Sequence, residues 1–380
     1  MTDTIGRAPS EDAWEAFLKA LFSPLPGLRE MAILELPTWL AHGRDITPLL
    51  EMSVRDPEPM VCRAAAIVAG RLRIATPTLL EDLEKKLTSG DDLLKRTIVT
   101  TFSRLGITGL PRMIRLLADR DPFIRRFLAL TLEDLGEAAI EPLIAALSQE
   151  PLRRAAAEVL IRIGQPAVSQ VMKLLDQPDR DLQYTAMDIL EGIGPHVLPT
   201  LIAEIKRGHP RPEEGGEAVT RFGPDAIPEL MKALRSSDAG HQCWAAATLV
   251  KIGAPAVPAL SAALCTESPS VCWLAAKALA QIGPAAVPNL VTILTNPNAT
   301  VRWVAADILA QIGGEALTSL ERLIQEGEAP AREAAIHALG LMGETASSSL
   351  PTLTAALQRE TDPTLRQALQ NTIAKLAAYQ

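Results

Sequence analysis

The 380-residue chain carries 37 Lys and Arg against 45 Asp and Glu, a net charge of −8, and is 48% apolar but only 3% aromatic. That apolar content excludes a disordered chain, and the shortage of rings leaves Ala, Leu, Ile and Val to build the core, which favours helices packed closely through small residues. No run of about 18 apolar residues occurs, so no membrane span is expected. The opening MTDTIGRAPSEDAW lacks a basic stretch followed by an apolar one, so no secretory leader is expected. Cys62, Cys243, Cys265 and Cys272 have neither zinc-finger nor CxxC spacing. They are expected to be reduced, mostly buried thiols of a cytoplasmic protein.

A chain of this length would ordinarily hold two or three domains of ~150 residues each. Internal repetition changes that count. Along the chain come three weak copies, over 12–43, 44–73 and 74–106. From there a glycine following an apolar residue recurs at Gly106, Gly136, Gly164, Gly194, Gly223, Gly253, Gly283, Gly313 and Gly343, at spacings of 28 to 30 residues. Each copy holds two helical patterns. A proline five residues after the glycine (Pro111, Pro199, Pro228, Pro258, Pro288) falls in the first turn of the first helix, where a missing N–H costs nothing. The second helix opens with a capping residue and proline, at Asp56-Pro57, Asp121-Pro122, Ser268-Pro269, Asn296-Pro297 and Asp362-Pro363. The recurring glycine then ends it in the left-handed conformation. In the seventh copy, KRGHPRPEEGGEAVTRFG, residues Pro210, Pro212, Gly215 and Gly216 shorten the second helix and lengthen the loop, as a surface insertion or as a hinge or notch. A closing copy spans 344–380. The reading is one all-α solenoid over 1–380 of about twelve helix pairs, with divergent repeats over 1–106, regular ones over 107–343 and a C-terminal cap over 344–380.

Asn296-Pro297, Val301-Arg302, Ala305-Ala306 and Ile312-Gly313 closely match the pattern D-P-x-V-R-x-x-A-A-x-A-L-x-x-I-G. This unit resembles the short bacterial HEAT-like repeat of the phycobilin lyase type, well over 106–343 and loosely at the ends. The resemblance implies a right-handed α-α superhelix of the HEAT/armadillo-like kind, with second helices lining its concave face. It says little of function, because the unit serves many tasks.

On the second helices, counting back ten residues from each glycine gives Arg96, Arg126, Arg154, Tyr184, Glu213, Cys243, Trp273, Trp303 and Glu333 as outward residues. Counting back six gives Asp188, Lys277, Asp307 and His337 among others. Two zones follow. Lys95-Arg96, Arg125-Arg126 and Arg153-Arg154 make 95–154 the only net-positive stretch, at +3. The first of each pair belongs to the repeat and can bridge to the next unit's acid; the second is surplus, either as a solvated face or as a site for carboxylate or phosphate. The aromatic zone holds Tyr184, Trp273 and Trp303, with Trp244 displaced toward the core flank. These rings either plug gaps beside alanines or anchor a partner.

Enzyme motifs are missing: no Gly-rich phosphate loop, nucleophile elbow or HExxH occurs. No His is followed by Glu, unlike the HEAT-like iron hydroxylases. His241, Cys243 and Cys272 lie on neighbouring rungs, but no metal or cofactor is expected. The sequence therefore reads as a non-enzymatic cytoplasmic scaffold that binds a protein or peptide on its concave face. Arg96, Arg126 and Arg154 would receive acidic parts, and Tyr184, Trp273, Trp303 and Asp307 would line the apolar part. The alternatives are nucleic-acid binding through the basic rungs, phycobilin-lyase-like action, and DNA-glycosylase-like chemistry, for which Trp303 with Asp307 and Tyr184 with Asp188 resemble the concave Trp–Asp pairing.

Overall fold

The computed structural model describes residues 10–88, 91–119 and 121–379. The leader expectation falls on residues 1–9, outside the described residues. Among these, 24 α-helices and no strand occur, and they form twelve consecutive pairs. The chain divides into two compact units, Met1–Ile193 and Gly194–Gln380. The first holds α1 (Glu11–Leu21) with α2 (Pro26–Ala41), α3 (Thr47–Val54) with α4 (Pro59–Leu72), α5 (Pro77–Lys86) with α6 (Asp92–Arg104), α7 (Leu110–Arg115) with α8 (Pro122–Leu135), α9 (Glu137–Ala146) with α10 (Glu150–Ile163), and α11 (Val168–Met172) with α12 (Arg180–Ile193). The second holds α13 (Leu198–Arg207) with α14 (Pro212–Thr220), α15 (Ile227–Leu234) with α16 (Ala239–Ile252), α17 (Val257–Thr266) with α18 (Pro269–Ile282), α19 (Val287–Ile293) with α20 (Ala299–Ile312), α21 (Leu317–Glu326) with α22 (Ala329–Met342), and α23 (Leu350–Arg359) with α24 (Pro363–Ala377).

Within each unit the second helix of every pair packs on the second helices before and after it. Alanine makes this close stacking possible. Ala245 in α16, Ala275 and Ala278 in α18, Ala305 and Ala306 in α20, and Ala334, Ala335 and Ala338 in α22 are all buried. The first helices supply the larger side chains, such as Leu260, Leu290 and Leu320, which are fully buried. Burying each is worth roughly 1.5–3 kcal/mol.

The turn from second to first helix departs from the expected left-handed cap. Gly136, Gly164, Gly253, Gly283, Gly313 and Gly343 do have positive φ, between 55° and 84°, but their ψ lies between −124° and −140°. This is the first central position of a type II′ turn, which suits glycine alone, whereas the left-handed helical region also admits Asn. Except at Gly136, which leads straight into α9, the turn tightens directly into a short 3₁₀ segment; after Gly253, for example, the Ala256 N–H donates to the Gly253 carbonyl at 2.9 Å. Pro258, Pro288 and their equivalents then sit in the first turn of the first helix, as expected.

Caps also need correction. Asp121 and Asp362 cap α8 and α24 through their carboxylates, and Ser268 precedes α18 without a capping bond. The helix after Asp56 begins only at Pro59, and the one after Asn296 is capped by Asn298. The residue before each of these loop prolines instead accepts the N–H two residues on, Glu58 for Asp56 and Asn298 for Asn296, at 2.9 Å each.

The seventh pair is shortened as expected, with α14 at 9 residues against 14 in α16 and α18. Its loop, 208–211, is no longer than 235–238 in the next pair. Gly215 and Gly216 lie inside α14 and keep it close to its neighbours: a Cβ on Gly215 would stand 2.6 Å from the Ile205 side chain, and one on Gly216 would stand 3.2 Å from the Trp244 indole nitrogen.

Two expectations from composition are revised. The stretch Pro269–Ile293 is long and apolar enough to pass as a membrane span. It is nevertheless α18, a glycine turn and α19, and Val271, Leu274, Ala275 and Leu279 bury themselves against neighbouring helices. Of the four cysteines, all free thiols, only Cys62 is buried; Cys272 is half-buried, and Cys243 and Cys265 are exposed.

Candidate functional site

Eleven residues before the glycine stands a donor with a structural task. The first helix of a pair ends with unpaired carbonyls, and this side chain reaches across the short loop to them. Arg125 donates to the Asp119 carbonyl, Arg153 to Leu147, Gln183 to Gln177, Gln242 to Ser236, and Arg302 to Asn296 and Pro297, at 2.7 to 3.0 Å. The Cys272 thiol does the same at the Ala263 and Glu267 carbonyls, at 3.4 Å. Some of these residues also reach the next pair: Arg332 meets Glu360 at 2.9 Å, Arg153 approaches Asp181 at 3.7 Å, and Lys95 pairs with Asp121. The repeat's basic residue is thus a loop lock.

The surplus arginines occupy equivalent places on α6, α8 and α10, and Arg96, Arg126 and Arg154 are all exposed. Arg96 lies over the Phe123 ring, 5.0 Å from its centroid, and Arg154 bonds Glu158 at 3.3 Å on its own helix. Farther along the same helices, Arg162 approaches Glu133 at 3.7 Å. The row is therefore interleaved with aromatics and acids, and it is less open to phosphate than the sequence count suggested. Tyr184, also in the first unit, is exposed on α12.

In the second unit the two tryptophans part company. Trp273 is 61% exposed on α18. Trp303, read as outward, is only half-buried, because the His337 imidazole of α22 packs edge-on against its ring at 4.8 Å between centroids. His337 Nε2 also lies 3.4 Å from the exposed Asp307 carboxylate, which ties Asp307 to the same cluster. Trp244 is held inward: its indole N–H donates to the Pro212 carbonyl at 2.8 Å, and His241 stacks on it at 5.3 Å. His241 and Cys272 are thus engaged elsewhere, and no group of three or more His, Cys, Asp or Glu among the described residues is placed to hold a metal ion.

Trp273 stands on a ridge between two grooves. The larger, about 710 Å³, runs between α18 and α20. Its floor is Leu264, Cys272, Ala276, Val301, Val304 and Ile308. The smaller, about 180 Å³, runs between α16 and α18 over Ala246, Ala247 and Val250. Small side chains facing each other leave these hollows. Lys277, one turn beyond Trp273, places its ammonium 5.3 Å from the indole centroid, and Asp307 faces it across the larger groove. The arrangement can hold an apolar side chain beside the indole and orient charges of both signs at the rim. Sequence counting placed Trp273 and Asp307 outward, and both are exposed beside the larger groove. It missed the grooves and the His337 clasp, whose signals were the alanines at 246, 247 and 276 and the His at the Asp307-equivalent position.

Residues 227–298, 257–340 and 287–374 match the family model of HEAT repeats. Residues 227–374 are HEAT repeats. The groove-bearing helices α18 and α20 lie inside that span. Among solved structures, Kap121p is similar at 15% identity over 100% of this chain and 46% of its own, with a TM-score of 0.35. Kap121p bound to Nup53p gives the same identity and coverage at 0.36. A chain in a homology model of the full-length AP-3 complex gives 12% identity over 97% of this chain and 77% of its own, at 0.30. The chain spans about half the length of Kap121p. Among curated proteins, none matches the sequence.

Proposed function

We propose that this HEAT-repeat protein is a non-enzymatic adaptor. Its second unit holds a segment of another protein on the second-helix face, with an apolar side chain seated in the α18/α20 groove against Trp273. The observation that carries this reading is Trp273 itself, a large ring left mostly in water between two apolar hollows. Leaving such a ring exposed forfeits burial worth some kcal/mol, and Trp is enriched among the residues that dominate binding energy. Lys277 and Asp307 would fix the orientation of the bound segment. The second helices touch along more of their length than the first helices do, as expected for the inner layer of a curved stack, and this supports a concave second-helix face. In the first unit, Arg96, Arg126 and Arg154 would receive acidic segments.

The test compares capture by the intact chain with capture by Trp273→Ala. The variant should bind the recovered protein about tenfold or more weakly at an unchanged melting temperature. Equal binding would reject the assignment. A strong salt-dependent shift of duplex or single-stranded DNA by the intact chain, abolished in Arg126→Ala, would favour nucleic acid instead.

A further inference from the structure

The register of the second helices runs one pair farther back than the glycines show. On α4 the residue with positive φ in the turn is Arg73, at 55°, and counting back ten and two from it gives Arg63 and Arg71. Counting back ten and two from Gly106 gives Arg96 and Arg104 on α6. Arg63 and Arg71 stand one turn either side of Ile67, and Arg96 and Arg104 one turn either side of Thr100, so the four share one face of two packed helices. Between them lies a hollow of about 160 Å³, lined by Ile67, Thr97, Thr100, Thr101, Arg96 and Arg104. Eight residues along a helix span ~12 Å and packed axes lie ~8–10 Å apart, so a group over the centre is about 8 Å from each corner Cα, within the length of an arginine side chain. The buried Gly70 leaves room for Arg104 to cross onto α4: a Cβ there would stand 3.4 Å from Arg104 Cδ.

No acid stands inside this rectangle. Helix α4 has no acidic residue, and the one acid of α6, Asp92, lies at its start, 3.9 Å from Lys95. Among the described residues, none makes an ion pair or side-chain hydrogen bond with Arg63, Arg71 or Arg104. Arg96 rests on the Phe123 ring, a stacking that leaves the N–H edge of the guanidinium open. Acids enter the row only from α8 onward, with Glu133 and Asp134 on α8 and Glu158 on α10.

We infer that this hollow binds the phosphoryl group of a phosphorylated side chain on a protein segment. Four cations with no acid among them call for more than one negative charge, and a phosphate monoester brings about −1.5 to −2 with three acceptor oxygens, where a carboxylate brings −1 and two. Guanidinium forks match those oxygens. The Thr97 and Thr100 hydroxyls now donate to the Leu93 and Arg96 carbonyls at 2.8 Å, and each proton turns about its C–O bond to meet an incoming oxygen. The hollow is smaller than the ~300–1,000 Å³ of pockets that enclose a whole small ligand, so it takes a head group whose bearer stays outside. A nucleic-acid backbone would need the cations to continue along the rungs, and the acids of α8 and α10 interrupt them. The protein nature of the bearer rests on the adaptor reading; the phosphoryl site does not, and it is independent of the groove at Trp273.

Fluorescence anisotropy of the full chain with pools of short capped peptides, uncharged apart from one central phosphoserine, tests this. The phosphoserine pool should bind about tenfold or more tightly than the same pool with Ser or Glu at the centre. Arg63→Gln with Arg104→Gln should weaken that binding by about tenfold or more at an unchanged melting temperature, while Trp273→Ala and Arg162→Gln should leave it intact. If the double variant melts lower, Arg71→Gln alone gives the same reading. Inorganic phosphate should compete only at concentrations well above those of the peptide. A phosphoserine pool that does not bind, a Glu pool that binds equally, or a double variant that binds as the parent would overturn the inference. So would inorganic phosphate competing as strongly as the peptide, or a single-stranded oligonucleotide binding more tightly and depending equally on Arg126 and Arg154.

Discussion

Replacing Gly313 by alanine isolates one physical effect. Gly313 has φ 84° and ψ −140°, and a Cβ built there meets nothing within 4 Å. No packing clash arises, so the whole cost is torsional. Holding an L-residue in so sparsely populated a region costs about 1–3 kcal/mol. The lower entropy of the unfolded alanine chain returns about 0.4–1 kcal/mol. The net loss should centre on about 1.3 kcal/mol, or roughly 3–5 °C in melting temperature for a cooperative unit of this size. Gly27, in the first turn of α2, is the control: its φ is ordinary and its added Cβ also meets nothing. Alanine there should stabilise by about 0.4–1 kcal/mol. Asn separates the two kinds of cap. In a left-handed helical cap it would recover much of the loss, but at ψ −140° it should cost as much as alanine. Chemical denaturation midpoints of the variants provide the measurement. A Gly313→Ala chain as stable as the parent, or a full rescue by Asn, would refute the turn geometry.

Two further outcomes follow from the loop locks and the buried histidine. Arg302→Met keeps the aliphatic stem but removes donors to two loop carbonyls, and should cost about 1–2 kcal/mol in a urea titration because charged hydrogen bonds of this kind are worth about 1.5–3 kcal/mol when desolvated. Burial holds the His241 imidazole below its usual range, with Lys206 adding to the effect and Asp238 opposing it. A base depressed in the folded state contributes stability that is complete above its unfolded pKa of about 6.5 and is lost as pH falls from there toward the folded value. The melting temperature should therefore fall as the pH drops below about 6.5, and His241→Phe, which keeps a ring on Trp244, should flatten that fall.

The repeats were legible because their signals are local. A glycine at 28–30-residue spacing and a proline five residues later each follow from one backbone requirement, so the twelve pairs could be counted from residue types alone. The caps at Asp56 and Asn296 were misplaced because an Asx residue before proline can cap a helix or close a turn, and the sequence is the same in both cases. Side-chain exposure was harder to read. Trp273 and Trp303 occupy the same register on successive helices, but only Trp303 has an imidazole on the next helix to cover it. Asp307 was found by its register, whereas its ties to His337 and to the groove depend on side chains 30 residues away. The basic row looked open for the same reason: Glu158 and Phe123, which engage Arg154 and Arg96, lie on other registers of the repeat.

Hydrogen exchange on the full chain, alone and with the protein it captures, locates the binding surface directly. Exchange should slow in α18 and α20 around Trp273 and Asp307, and this protection should be lost in Trp273→Ala. Protection confined to α6, α8 and α10, or to the first helices of the pairs, would contradict it.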